Sequence, residues 1–158
     1  MEIDITVKNY RCFPDDAPAR ITISDGFTAF IGVNNSGKSS LLKFLYEFRL
    51  LFQTISANYS VLTQALRHAN AGLVLSPSIS DSDEVFNKGN ERDIQIEIHI
   101  KGESGPHASR LKLVEVLKIT FQRQSKTWIA DAVGVDSLVN RGNAEILSNW
   151  IVLVKRDP

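Results

Sequence analysis

Residues 27–40 read FTAFIGVNNSGKSS, and this stretch decides the fold. Phe27 to Ile31 is almost wholly apolar, as a strand covered on both faces requires. Gly32-Val33-Asn34-Asn35-Ser36-Gly37-Lys38-Ser39 then matches GxxxxGK[ST] in full, and the helix-forming run SLLKFLYEF follows. Strand, glycine loop and helix is the order in which backbone amides can be turned onto a phosphate. Gly32 and Gly37 allow a tight turn and a close backbone approach that a Cβ would obstruct. The amides of about residues 35 to 39 converge at a helix N-terminus, where unpaired donors and the macrodipole both favour an anion. Lys38 places an ammonium between the β- and γ-phosphates. The Ser39 hydroxyl is positioned to ligate Mg²⁺, and Ser40 can donate to the α-phosphate. At an average glycine usage of about 7%, a chance match in a chain this long has a probability on the order of half a percent. A purely structural glycine turn is therefore set aside. Gly32, Asn34, Asn35, Ser36, Gly37, Lys38, Ser39 and Ser40 are the candidate nucleotide-binding residues, Ser39 is the candidate metal ligand, and ATP with Mg²⁺ is expected.

Working outward, residues 2–8 (EIDITVK) and 20–24 (RITIS) alternate apolar and polar, the period of half-buried strands. Between them YRCFPDDAPAR reads as a loop, and Asp25-Gly26 as a turn into the strand at 27–31. After Gly37 neither glycine nor proline occurs before Ala71. Phe44, Phe48, Leu51, Ile55, Tyr59, Leu62, Leu66 and Ala69 recur in steps of three and four, tracing one stripe on a long helix that runs past Phe52. Asn70 and Gly72 supply its stop. Residues 76–93 are polar, with Pro77 and Gly89, so 72–93 is read as a loop or insertion. Asp81, Asp83 and Glu84 do not make a calcium loop, because Val85 and Phe86 stand where oxygen ligands and a glycine are needed. Ile94, Ile96, Ile98 and Ile100 give the cleanest strand pattern. A strand over 115–123, a polar turn at 123–126 and a strand over 127–132 predict a hairpin. The apolar stretch Trp150 to Val154 comes near the last residue. The expected fold is α/β: a P-loop NTPase lobe, with a mixed β-sheet packed on the long helix that follows the Walker A loop.

The bulk numbers are compatible with that reading. The 158 residues are 43% apolar, enough for a core, and suit one domain or a large piece of one. Lys plus Arg and Asp plus Glu each number 18, so the basic excess of a dedicated nucleic-acid binder is missing. The single cysteine, Cys12, excludes an internal disulfide and suits a reducing compartment. MEIDITVKNY has neither a basic n-region nor an apolar h-region, and no apolar run reaches the roughly 18 to 20 residues that span a bilayer. A cytoplasmic protein is expected. His68, His99 and His107 have no ligand-like spacing, and Cys12 has no neighbouring histidine.

GVNNSGKSSLL resembles the GxNxSGKS form of ABC-type ATPases in the RecF, structural-maintenance-of-chromosomes (SMC) and OLD-nuclease group. In that group an N-terminal strand carries a phrase like "I..I.NYR.F", and Ile5-Thr6-Val7-Lys8-Asn9-Tyr10-Arg11-Cys12-Phe13 matches it at about the same distance ahead of the loop. The resemblance covers about the first 53 residues and fades after them. It implies that Arg11, by position, approaches the nucleotide phosphates or nearby DNA; an exposed loop arginine is the plain alternative. It also implies work in DNA repair, chromosome handling or phage defence, by a full-length homodimer with DNA as a possible partner.

The departures are equally informative. The resembled group hydrolyses ATP with a Walker B strand, four apolar residues followed by Asp and Glu, and with a signature like LSGGQ from a second subunit. Ile151 to Val154 has the apolar half, but Lys155 and Arg156 replace the acidic pair; Trp128-Ile129-Ala130-Asp131 has too few apolar residues before its Asp. Gln122 and Gln124 are candidates for the glutamine that helps hold Mg²⁺ and the attacking water. Residues 1–158 are accordingly read as the Walker A lobe of a longer ATPase, with the C-terminal lobe as its partner and near-inactivity expected of this segment alone. Asp131 and Asp157 would be the first carboxylates to mutate were it active. The alternative is a nucleotide-sensing module that does not hydrolyse ATP. A GTPase is disfavoured, since Asn87-Lys88-Gly89-Asn90 lacks the Asp of NKxD.

Overall fold

The computed structural model describes residues 2–24, 31, 37–57, 64, 71–72, 81–101 and 116–133. Strands β1 (Glu2–Lys8) and β2 (Ala19–Ile23) are followed by helices α1 (Lys38–Glu47) and α2 (Arg49–Ala57). Next come β3 (Ala71–Gly72), a 3₁₀ turn at Ser82–Val85, and strands β4 (Ile94–Lys101), β5 (Val116–Phe121) and β6 (Thr127–Val133). The strands form one six-stranded sheet in the order β2-β1-β4-β5-β6-β3.

Alternation sets which face of the sheet is buried. Ile3, Ile5 and Val7 of β1 lie in register with Ile23, Ile21 and Ala19 of β2, and Ile5 and Val7 also with Ile98 and Ile96 of β4. Ile96 opposes Ile119, which opposes Ala130, so one apolar face runs across the sheet. Leu41, Phe44, Phe48 and Leu51 from the helices join the same buried cluster. The Phe48 ring meets Phe121 edge-on at 6.3 Å, and Phe121 stacks on Phe86 at 5.2 Å. A slip of one residue in any central strand would turn its isoleucines to solvent, which pins the register.

The other face is polar. Glu97 lies opposite Lys118, with Nζ to Oε1 at 3.5 Å, and Lys118 in turn lies opposite Asp131. Reversing this central charge would set like charges on both sides. Lys118→Glu should therefore destabilise the fold by about 1 kcal/mol in urea unfolding, with an unchanged m-value. An unshifted midpoint would contradict the register.

Two expectations need adjustment, and a third lies outside the described residues. Every described strand pairing is antiparallel, so the sheet as described is not mixed. The strand expected at 27–31 falls on residues of which all but Ile31 lie outside the described set. The helix after Lys38 is divided at Phe48, whose φ of −91° and ψ of 2° leave the helical region. No glycine or proline causes the division. The Arg49 guanidinium donates to the Tyr46 carbonyl at 2.8 Å, which competes with the helix ladder there. Bonds on either side survive: Phe48 N–H reaches Phe44 O at 3.0 Å and Phe52 N–H reaches Phe48 O at 3.1 Å. Tyr59, Leu62, Leu66 and Ala69 of the expected stripe lie outside the described residues. No helix among those residues is long and apolar enough to cross a membrane.

Candidate functional site

Helix α1 opens on Gly37, whose φ of 84° is left-handed. A Cβ built there would lie 2.7 Å from Cε1 and 2.8 Å from Cζ of Phe13, and 3.4 Å from Cys12 Sγ. Backbone angle and space therefore both ask for glycine. The first intrahelical bond runs from Leu41 N–H to Gly37 O at 2.9 Å, and helical geometry leaves the amides ahead of it to partners outside the ladder. No acidic residue stands in the first turn, so the dipole field at this end favours an anion. Lys38 and Ser40 are half-buried, and Ser39 is exposed. This is a donor set that suits a phosphate, with a hydroxyl open to a metal ion. Gly32, Asn34, Asn35 and Ser36 lie outside the described residues.

Residues 9–13, between β1 and β2, form a wall against Gly37. Asn9 and Arg11 both have positive φ, 58° and 46°. Asn tolerates that conformation and Arg does so rarely, so the backbone here is held by its surroundings. Phe13 N–H closes the turn onto Tyr10 O at 2.8 Å. Arg11 N–H donates to Val85 O at 3.0 Å, and Asn87 N–H to Asn9 O at 2.9 Å. Asn87 Nδ2 donates to Arg11 O at 2.6 Å, and its Oδ1 accepts from Gly89 N–H at 2.8 Å. The polar segment 81–93 thus reaches into the core, with Val85, Phe86 and Asn87 buried.

A buried carboxylate ties the wall to the helix. Glu47 of α1 is 5% exposed. Tyr10 OH donates to Glu47 Oε2 at 2.5 Å, Arg11 Nη2 to Oε1 at 2.6 Å, and Arg11 Nε to Tyr10 OH at 3.0 Å. The Tyr10 ring stands edge-on to Phe44 and Phe48, at 5.5 and 5.9 Å. Burial, reinforced by the Glu47 carboxylate, raises the phenol far above its usual range and keeps it a neutral donor. Burial pulls the Arg11 guanidinium down, but bonds to Glu47 and Tyr10 outweigh it, so it stays a cation. Arg11 therefore precedes the Cys12–Phe13 pair that packs at Gly37, with its own charge directed at Glu47.

Gln122 and Gln124 lie elsewhere. They line a polar groove of about 600 Å³ with Asn9, Asp15, Arg92 and Arg123, and its described lining includes none of Gly37 to Ser40. Gln122 Oε1 accepts from the hydroxyls of Ser125 and Thr127, both at 2.9 Å, which fixes the β5–β6 turn. Arg92 across the groove holds the Asp15 carboxyl below the usual carboxylate range. Asp81 caps the 3₁₀ turn through Asp83 N–H at 2.8 Å, and Asp83 pairs with Lys126. Asp131 is on the exposed sheet face, away from the helices; Asp157 lies outside the described residues.

The sequence reading missed Glu47, Asn87 and the contact of Phe13 with Gly37. For Glu47 a signal existed: it lies three residues after Phe44 and four before Leu51, on the apolar stripe itself, where a charge must find a partner. Asn87 and Phe13 sit in loops without periodicity; Phe13 closes the NYRCF phrase, but nothing in that phrase pointed to its contact with Gly37.

A left-handed glycine opening a helix at GK[ST], in an α/β arrangement, defines the P-loop NTPase class. Comparison with known families narrows this: the AAA ATPase domain family matches residues 1–130, which run from β1 into β6. The chain belongs to the AAA ATPase domain family. No curated protein matches the chain.

Proposed function

We propose that the chain binds ATP with Mg²⁺ at the turn that opens α1. Gly32, Asn34, Asn35, Ser36 and Gly37 supply the backbone cradle, Lys38 the charge on the β- and γ-phosphates, Ser39 the Mg²⁺ ligand and Ser40 a donor to the α-phosphate. The observation that carries this reading is Gly37, left-handed, at the head of a helix with no acid in its first turn. Bound Mg²⁺ would neutralise charge on the phosphate oxygens. Arg11 enters the proposal through the wall beside Gly37, with Glu47 as its direct partner.

In the finer reading, this segment is the Walker A lobe of a RecF-, SMC- or OLD-like ATPase acting in DNA repair, chromosome handling or phage defence. A C-terminal lobe would supply the Walker B carboxylates and the signature, in a homodimer that acts on DNA. The GVNNSGKSS loop and the NYRCF phrase support that grouping. The sensing module that does not hydrolyse ATP is the second reading. It is favoured by Asp131, which faces away from α1 and cannot serve a phosphate there.

Cys12 offers a test without mutagenesis. It is exposed, it is the one cysteine of the chain, and its sulfur lies 3.4 Å from the Cβ position of Gly37. Saturating Mg–ATP should slow alkylation of Cys12 several-fold, followed by mass spectrometry. An alkylation rate that does not change with nucleotide would count against a phosphate site at this turn.

A further inference from the structure

Three features mark residues 10–13 as more than a connection. Arg11 holds a left-handed backbone that a non-glycine side chain rarely adopts, and such outliers persist only where surroundings over-determine them. Its amide and carbonyl are both fixed, by Val85 and Asn87. Its guanidinium and the adjacent Tyr10 hydroxyl converge on one buried carboxylate, Glu47. The product of this network is the placement of one ring: Phe13 occupies the space where a Cβ on Gly37 would stand, at 2.7 Å.

We infer that Phe13 is a positioning residue for the phosphate-binding turn, and that Glu47, by gripping Tyr10 and Arg11, holds the Phe13 ring against Gly37. This rests on the nucleotide-binding reading of that turn. Phosphate recognition by backbone amides depends on where the amides point, and a left-handed glycine resists displacement little by itself. A ring packed on its open side restricts that movement and keeps the amides converged before the ligand arrives. Anchored at Glu47, the ring is fixed to the helix whose first turn makes the site. Preorganisation of this kind shows in affinity, because an unrestrained turn must be ordered on binding.

The test is calorimetric titration of Mg–ADP into wild type, Lys38→Ala, Phe13→Ala, Phe13→Leu and Ile119→Val, each with a thermal melt. Ile119 is a core residue of β5, remote from the turn in sequence, and serves as a measure of generic destabilisation. Phe13→Ala should weaken binding about tenfold, Phe13→Leu should recover most of that loss, and Ile119→Val should bind as wild type does. The paired variant Arg11→Met with Glu47→Leu should melt near wild type yet bind about tenfold more weakly, a split that a purely structural role would not produce. That pair carries the test should Phe13→Ala not fold. Wild-type affinity in Phe13→Ala, or in the pair where the alanine variant does not fold, with Lys38→Ala impaired, overturns this inference alone. Wild type that binds no nucleotide, or Lys38→Ala that binds as tightly as wild type, overturns the nucleotide reading and this inference with it.

Discussion

Truncating Arg11 to alanine should lower the unfolding free energy by about 3 kcal/mol, a large share of the stability of a domain this size. Removal of one member of a buried ion pair strands the other, and Glu47 is the member left behind. Its side chain is 7% exposed against 21% for Arg11, so water enters mainly on the arginine side. The Tyr10 hydroxyl at 2.5 Å still donates to Oε2 after the truncation. That remaining bond puts the expected loss at the low end of the range for broken buried pairs. Replacing both members with apolar groups of similar volume, Arg11→Met with Glu47→Leu, removes the stranded charge and should recover most of the loss. Urea unfolding of the three proteins checks this. A loss below about 0.5 kcal/mol for Arg11→Ala would mean that water already solvates Glu47 and that the pair is a surface feature.

The sheet was legible in the sequence because its strands are half-buried. The isoleucines of β4 alternate with Gln95, Glu97 and His99, and a period of two has no other reading. β1, β2, β5 and β6 follow the same rule, and the polar residues at 123–126 mark the turn of the β5–β6 hairpin. Helix interruption at Phe48 was not legible. The Arg49 guanidinium meets the Tyr46 carbonyl there, a contact that composition cannot report, since arginine is a good helix former. The two-residue strand β3 at Ala71–Gly72 was also out of reach. It exists only by pairing with Thr127 and Trp128, far along the chain.

In the candidate site, the half fixed by chemistry was visible and the half fixed by packing was not. Gly37, Lys38, Ser39 and Ser40 were singled out because a phosphate cradle would dictate residue types at fixed offsets. The NYRCF phrase singled out Arg11, but its partner could not be named, because Glu47 is 36 residues away on another element. Asn87 looked like part of a failed base-reading motif and is instead a buried clamp on the backbone of residues 9 and 11. Tertiary hydrogen bonds of this kind leave no trace in periodicity.

Loss of the Lys38 ammonium carries the largest expected effect on ligand affinity. Ser39 and the first-turn amides contribute neutral donors and a partial dipole, whereas Lys38 supplies a full charge at the head of α1. A charge-assisted hydrogen bond is worth about 1.5–3 kcal/mol, so Lys38→Ala should weaken binding roughly tenfold to a hundredfold. The side chain is half-buried at a surface turn, and its truncation opens no core cavity, so the melting temperature should stay near that of wild type. Folding and binding are thereby separated in a single variant. The measurement is calorimetric titration of Mg–ATP into wild type and Lys38→Ala, with melting curves for both. Saturable binding by wild type, weakened at least tenfold in an equally stable Lys38→Ala, is the predicted result; equal affinity in the two proteins would contradict a nucleotide-phosphate site at this turn.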